Sequence, residues 1–288
     1  MQEITIPPGA TNFQLTQISP RPWIYLDHWA LREFSSNQEL GKKFIDLLVK
    51  KEGTLCISWM NIFEVTNHIE GESLNSILNF YERLGNRFSY IQCNPVKVIQ
   101  NENQYQPGNQ NPGLDTELAI FYLKYIYGKE FKLISLRQVI KDLIRKNDIH
   151  VGMREGLERA KQSLQQEFSK YRQRYLINPK DLSSKKPLKT PRDVTPYIFS
   201  ETLKQYIKGN SKIEQNDVPD IFHAVVPVSY CDFVLLDSKW ATLVKNTHPK
   251  KGVAAEIYSK REINDFWIDL EEFTTRSIGY PFEQHIST

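Results

Sequence analysis

Short apolar runs alternate with amphipathic stretches along the first hundred residues. Three of these runs predict buried strands: Trp23 to Leu26, Thr54 to Trp59 and Phe88 to Cys93. Between them, apolar residues recur at steps of three and four, which predicts helices, and Asn61 is expected to cap the helix after the second strand. Strands that alternate with helices at this spacing predict an α/β fold, in which helices cover both faces of a mostly parallel sheet to give three layers.

The pattern changes after the third strand. Residues 101–114 cluster Asn, Gln, Pro and Gly and predict a loop, residues 115–175 show only helical spacing, and the polar, proline-rich residues 178–196 are expected to be mobile. The last third then predicts a helix at 197–207, a short helix between two prolines at 218–226, and strands at 233–236 and 254–258.

These changes divide the chain into four parts. An N-terminal extension, 1–20, precedes an α/β domain whose two parts, 21–114 and 197–288, are separated by a helical insertion, 115–196. The second part is expected to end in a C-terminal helix. The Leu and Ile spacing of residues 118–144 fits packing on the same domain or on a second copy, so a homodimer is one expectation.

Charge follows the same division. The chain of 288 residues has a net charge of only +3, which excludes a uniformly basic coat. Between Lys129 and Arg192, however, 17 Lys and Arg face 7 Asp and Glu. With Phe168, Tyr171 and Tyr175 interleaved, this segment predicts an RNA-binding surface that meets phosphates by charge and bases by stacking. The alternative is a solvated helical face of mixed charge.

Cysteines and apolar runs indicate the compartment. Cys56, Cys93 and Cys231 have no paired short spacing, which argues against a disulfide framework and a cysteine-based zinc site. No apolar run approaches the length of about 18 residues that spans a bilayer, and the N-terminus does not resemble a secretory signal. We therefore expect a cytoplasmic protein with no membrane partner.

Four acidic residues lie where the predicted sheet would gather them. Asp27 and Asp237 end strands, Glu64 lies early in the helix after the second strand, and Asp220 lies in the first turn of another helix. Ligands of open α/β sheets bind beyond the carboxyl ends of the strands. Clustered carboxylates repel one another unless a hard cation neutralises them, so the pattern predicts an Mg²⁺ or Mn²⁺ site that hydrolyses phosphodiesters.

Ordinary structural roles compete with this interpretation. Asp27 fits a helix cap, Glu64 complements a helix dipole, and Asp237 fits a turn. Asp217 is the expected N-cap of the helix that contains Asp220. The histidines His68 and His223 share helix faces with Glu64 and Asp220 and are candidates to support the acids, whereas His28 is less informative.

The ordered acids resemble the successive motifs of PIN-domain nucleases. The resemblance rests on YLD at 25–27, SWMNIFE at 58–64 and NDVPDIFHAVVPVSYCDFVLLD at 216–237, and covers roughly residues 21–95 and 197–260. It implies a PIN fold, an Mg²⁺- or Mn²⁺-dependent ribonuclease, and metal ligation by Asp27, Glu64, Asp220 and Asp237. The chain departs from the family in its insertion and in Leu236, where a Thr or Ser is usual. Asp232 is therefore a rival fourth ligand.

The resulting hypothesis is a metal-dependent endoribonuclease. The first alternative is a PIN-like module that has lost catalysis and binds RNA or a protein, and the second is a metal phosphatase or a structure-selective DNA nuclease. The resemblance also permits a toxin neutralised by an antitoxin or another regulatory protein. The chain has no phosphate-binding glycine loop and no nucleophile-elbow sequence, so neither a nucleotide cofactor nor an α/β-hydrolase site is indicated.

Overall fold

A parallel five-stranded sheet forms the centre of the protein. The computed structural model describes residues 2–5, 14–68, 71–106, 111–115, 117–118, 136–145, 147–178, 180, 194–208, 217–247, 253–274 and 283–287. The strands of the sheet are β3 (Trp23–Leu26), β4 (Thr54–Ile57), β5 (Phe88–Tyr90), β6 (Phe233–Leu235) and β7 (Glu256–Tyr258), in the order β5-β4-β3-β6-β7. All four pairings are parallel. The predicted α/β class is confirmed.

A second, smaller sheet was not predicted. It consists of β1 (Gln2–Thr5), β2 (Gln14–Ile18) and β8 (Glu283–Ser287), paired antiparallel in the order β1-β2-β8. This sheet joins the predicted N-terminal extension to the end of the chain. Its strands are only four or five residues long and show no regular alternation of polar and apolar residues, so the sequence pattern does not identify them.

Eleven helices and a 3₁₀ turn are assigned within the described ranges. They are α1 (His28–Ser36), α2 (Gln38–Lys50), α3 (Trp59–His68), α4 (Gly71–Leu84), α5 (Pro95–Gln104), α6 (Leu136–Arg145), α7 (Asn147–Ile177), α8 (Val194–Lys208), α9 (Asp217–Tyr230), α10 (Ser238–Lys245), the 3₁₀ turn Lys260–Glu262 and α11 (Ile263–Glu272). The last of these is the predicted C-terminal helix.

The strands bury both of their faces. Within β3, Ile24 and Leu26 pack into one apolar core, whereas Trp23 and Tyr25 pack into a second. Successive side chains of a strand point to opposite faces, so the two cores lie on opposite sides of the sheet. This explains why the strands read as continuous apolar runs, since a parallel sheet is covered by helices on both sides.

The described part of the insertion belongs to the same two cores. In α6, Leu136, Val139, Ile140 and Leu143 pack into the core that contains Ile24. In α7, Leu164 and Phe168 pack into the core that contains Tyr25. The helices between residues 136 and 177 therefore cover the sheet. The stretch expected to be mobile, 178–196, falls largely outside the described residues.

The aromatic residues of the basic segment, expected to stack on bases, pack against the protein. Phe168 and Tyr175 are buried, and Tyr171 packs edge-on against Phe199 with 6.2 Å between the ring centroids. The three residues lie on the side of α7 that packs against the protein, because apolar rings gain more from burial than from exposure to water. Three basic residues of α7 also pair with acids of the same helix, Arg159, Lys161 and Lys170.

Several predicted boundaries were wrong. The second strand ends at Ile57 and α3 begins at Trp59, so Asn61 lies inside the helix. Asn61 accepts a hydrogen bond from the Ser58 N–H at 2.9 Å and donates its own N–H to Ser58 Oγ at 3.4 Å, which makes Ser58 the cap. Residues 101–104 complete α5 instead of beginning a loop.

The helix that contains Asp220 is longer than predicted. It begins at Asp217 and continues through Pro227 to Tyr230. A proline interrupts one backbone hydrogen bond of a helix, but burial on nearly every side of this helix offsets the loss. Asp217 is its first residue, and the Asp217 carboxylate pairs with Lys239 Nζ at 2.8 Å.

Two further observations concern the whole chain. The three cysteines are free and buried. Across the ranges given above, no helix combines the length and apolar composition needed to cross a bilayer.

Candidate functional site

The order of the strands creates a crevice at one edge of the sheet. On one side of β3 lie β4 and then β5, the next two strands in the chain. On the other side lies β6, which comes later in the chain. The loops after β3 and β6 therefore diverge towards opposite faces. In open α/β sheets, such a reversal point at the carboxyl edge is the usual position of a ligand site.

Asp27 lies at this reversal point. Its N–H donates to the Leu235 carbonyl at 3.0 Å. Its carboxylate accepts from the His28 N–H at 2.5 Å and, through the other oxygen, from the Asp237 N–H at 3.1 Å. Asp27 is 9% exposed, so it caps α1 and also ties the ends of β3 and β6 together.

Asp237 ends the neighbouring strand and caps α10. Its Oδ1 accepts from the N–H groups of Lys239 and Trp240 at 2.7 and 3.0 Å. This N-cap is the structural role expected of an Asp at a strand-to-helix junction. The side chain still lies beside the crevice, because its charge acts on Asp220.

Glu64 projects from α3 and meets two histidines. Glu64 Oε2 lies 3.1 Å from His223 Nε2 and 3.5 Å from His28 Nδ1, although neither approach is aligned as a regular hydrogen bond. Burial raises the pKa of Glu64, but the charge of His223 and contacts with both histidines outweigh it and lower the pKa to about 2. Glu64 is therefore ionised at neutral pH.

His223 is the positive partner of Glu64. It is 1% exposed. Burial lowers its pKa, but the carboxylates of Glu64, Asp27 and Asp220 outweigh burial and raise the pKa to about 9. An imidazolium thus lies among the acids and neutralises part of their charge.

A chain of buried hydrogen bonds fixes the His223 ring. Tyr25 Oη lies 2.6 Å from His223 Nδ1 and 2.8 Å from Ser58 Oγ, and Ser58 Oγ lies 3.0 Å from Asn61 Oδ1. Because Asn61 Oδ1 can only accept, Ser58 donates to it, Tyr25 donates to Ser58, and His223 Nδ1–H donates to Tyr25. The chain ends where Asn61 Nδ2 donates to the Leu26 carbonyl at 3.0 Å.

The sequence interpretation missed this chain of polar residues. Tyr25 lies in the middle of an apolar strand and resembles a core residue. The spacing of Ser58 and Asn61 was a usable signal, since a Ser followed three residues later by a polar acceptor is the pattern of a capping box. Only the fold shows that the box lies beneath His223.

Asp220 completes the cluster from the first turn of α9. Burial, followed by the carboxylates of Asp237 and Asp27, raises its pKa to about 6, while the Trp240 indole N–H opposes this shift. The pKa of Asp27 is likewise raised by burial and by Glu64, against the lowering effects of His223 and two backbone N–H groups. The predicted acids therefore influence one another electrostatically.

Two other candidates do not join the cluster. Asp232 lies at the amino end of β6, at the opposite edge of the sheet, where its carboxylate pairs with Arg21 at 2.5 Å and accepts from the Trp23 N–H at 2.7 Å. This position removes Asp232 as a rival of Asp237. The side chain of His68 lies outside the described residues.

Metal binding can be judged from the donors. Asp27, Asp220 and Asp237 supply carboxylate oxygens, which Mg²⁺ and Mn²⁺ prefer, and a cation would relieve the repulsion that raises the pKa of Asp220. As placed, however, no three His, Cys, Asp or Glu side chains in the described part of the chain are grouped closely enough to hold a metal ion. The donor chemistry fits a divalent cation, and small side-chain movements would have to complete the site.

Comparisons with known proteins add no assignment. No protein-family model, no curated protein and no solved structure matches this chain.

Proposed function

We propose that this chain is a PIN-like ribonuclease that hydrolyses phosphodiesters with the help of Mg²⁺ or Mn²⁺. The observation that supports the proposal most is the position of Asp27 at the reversal point of the sheet, within electrostatic range of Glu64 and Asp220. The strand order and the motifs around these acids are the further support. A bound divalent cation would supply Lewis-acid activation of water and neutralise charge on the phosphate.

The roles of the residues follow from their contacts. Asp27, Asp220 and Asp237 would hold the cation, and the proposal assigns Glu64 to the same site. His223 and His28 hold Glu64 in place, and the Tyr25–Ser58–Asn61 chain in turn holds His223. Basic residues of α7, such as the half-buried Arg172 and the exposed Arg174, would attract the RNA backbone.

Cleavage of a mixed single-stranded RNA in Mn²⁺ tests the proposal. We expect Asp27→Asn and Asp220→Asn each to reduce the rate by at least about 100-fold, since each removes a charge that the reaction needs. Asp46→Asn is the matched control, because Asp46 is an exposed acid paired only with Lys42. If the site variants cut as fast as the control and all three remain folded, the proposal fails.

A binding module without catalysis is the second candidate. It is favoured by the His223 imidazolium, which neutralises part of the charge of the acids without a metal, and by the lack of a ready metal-holding group in the described ranges. Salt-dependent RNA binding with no cleavage in Mn²⁺ or Mg²⁺ would support it. Small phosphate esters and branched DNA in parallel reactions would identify a phosphatase or a DNA nuclease.

A further inference from the structure

A cavity of about 470 Å³ lies between α3, α5, α7 and α9. Its walls include the rings of Trp59, Phe63 and Phe222 and the apolar side chains of Met60 and Leu157. This volume and lining are typical of small-molecule sites, which combine mostly apolar walls with a few polar groups. It lies beyond the carboxyl ends of β4 and β5, and its lining contains none of the four predicted acids.

Two glycines of α7 leave one wall open. Gly152 and Gly156 lie one helical turn apart and both line the cavity. A Cβ atom added to either would meet nothing within 4 Å. Glycine inside a helix costs about 1 kcal/mol relative to alanine. The open space beside these glycines leaves room for a ligand to approach the helix backbone closely.

A buried carboxylate oxygen provides the polar feature. Asp115 lines the cavity and is 2% exposed. Its Oδ1 accepts from the Leu118 N–H at 3.0 Å, whereas its Oδ2 is buried and has no hydrogen-bond partner among the residues described. Lys97, at the same cavity, is engaged by Glu117 at 2.7 Å. Lys97 and the Glu117 N–H also stabilise the carboxylate. A buried acceptor without a hydrogen bond is nevertheless costly, so Asp115 Oδ2 can accept from a donor of a ligand in the cavity.

We propose that this cavity binds an aromatic nitrogen heterocycle with an amino group, of the cytosine or adenine type, whose amino N–H donates to Asp115 Oδ2. The aromatic walls match the flat ring, which they contact by face or edge. One acceptor oxygen matches one amino group, as in the pairing of Asp or Glu with the cytosine amino group. The heterocycle comes either from a free nucleoside or from a base of an RNA strand.

Calorimetric titration in EDTA tests this site without any cleavage. Cytidine and its analogue without the 4-amino group form one matched pair, and adenosine and purine riboside form another, because each pair differs only in the amino group and keeps the same ring nitrogen acceptors. We expect at least one amino-bearing nucleoside to bind about tenfold or more tightly than its partner, the loss expected for one hydrogen bond to a charged group. Equal affinity within both pairs, or no binding of any nucleoside, overturns the proposal.

Two variants locate the binding. Gly156→Leu places a side chain in the open wall, so binding should disappear while Tm stays equal or rises, since leucine favours helix. Gln162→Leu on the exposed side of the same helix is the matched control and should bind like the parent. Asp115→Asn keeps the Leu118 contact but should abolish the preference for the amino-bearing member of each pair. Parental affinity in Gly156→Leu would contradict the assignment.

A short oligocytidine distinguishes the two sources of the base. If the strand binds more tightly than cytidine and Gly156→Leu removes that gain, the site accepts a base within RNA. If strand and nucleoside bind alike, the site accepts a free nucleoside. Because the titrations contain EDTA, their outcome is independent of the proposed nuclease activity.

Discussion

Glu64 between two histidines is the most informative contact at the scale of single residues. Both ring nitrogens of the His223 imidazolium have a partner. The Nδ1–H donates to Tyr25, and Nε2 lies 3.1 Å from Glu64 Oε2. A raised histidine pKa adds stability below the unfolded value of 6.5, and this stability is lost as pH rises through about 9. The sequence indicated the proximity of His223 to Asp220 but not its bond to Tyr25, which depends on how α9 crosses the sheet.

The first prediction concerns the titration of His223. We expect NMR of the labelled imidazole to give a pKa of about 9 in the parent protein. Glu64→Gln should lower this pKa, because the Glu64 carboxylate is the largest cause of the increase, while Asp27 and Asp220 continue to raise it. Glu72→Gln on α4 is the control. A pKa near 6.5 in the parent would contradict the ion pair.

Asp115 gives a second prediction, which concerns a carboxyl whose pKa is raised by burial. Burial raises its pKa from 3.8 to about 6, so its contribution to stability is present below pH 3.8 and is lost as pH rises through about 6. Asp115→Asn removes this titration. Without ligand, we expect the variant to gain roughly 3 kcal/mol relative to the parent between about pH 3.5 and pH 7. Urea unfolding of both proteins at the two pH values measures this gain. The prediction is contradicted if the difference in unfolding free energy between variant and parent is the same at both pH values.

At the scale of elements, strands were predicted more reliably than helix ends. Continuous apolar runs located all five strands of the central sheet, because a sheet covered on both sides leaves little room for polar residues. Helix ends depend on single capping contacts. Ser58 instead of Asn61 caps α3, and burial extends α9 through Pro227, neither of which follows from periodicity.

Asp237 caps α10 and is also a proposed metal ligand, and two substitutions can distinguish these roles. Asparagine caps helices about as well as aspartate, so Asp237→Asn should change stability by less than about 0.5 kcal/mol, whereas Asp237→Ala should cost about 1 kcal/mol. If the carboxylate also holds a metal, both variants should lose RNA cleavage. Urea unfolding together with cleavage rates checks this. Full RNA cleavage by Asp237→Asn would show that Asp237 acts only as a helix cap.

At the scale of the whole molecule, the sequence predicted an α/β fold with acids at one edge, and the strand order explains why they meet. It did not predict that α6 and α7 complete the two cores, because amphipathic helices look alike whether they pack on their own domain or on another subunit. The cavity beside Asp115 was also beyond prediction. It depends on four helices that are distant in sequence.

Titration of the protein with Mn²⁺ tests the central claim most directly, because the acids must bind a cation before they can act on RNA. We predict a Mn²⁺ site in the parent, seen by calorimetry, that is weakened at least about tenfold in Asp27→Asn and unchanged in Asp46→Asn. Equal Mn²⁺ affinity in the parent and Asp27→Asn, or no Mn²⁺ binding by the parent, would contradict the proposed metal-dependent nuclease.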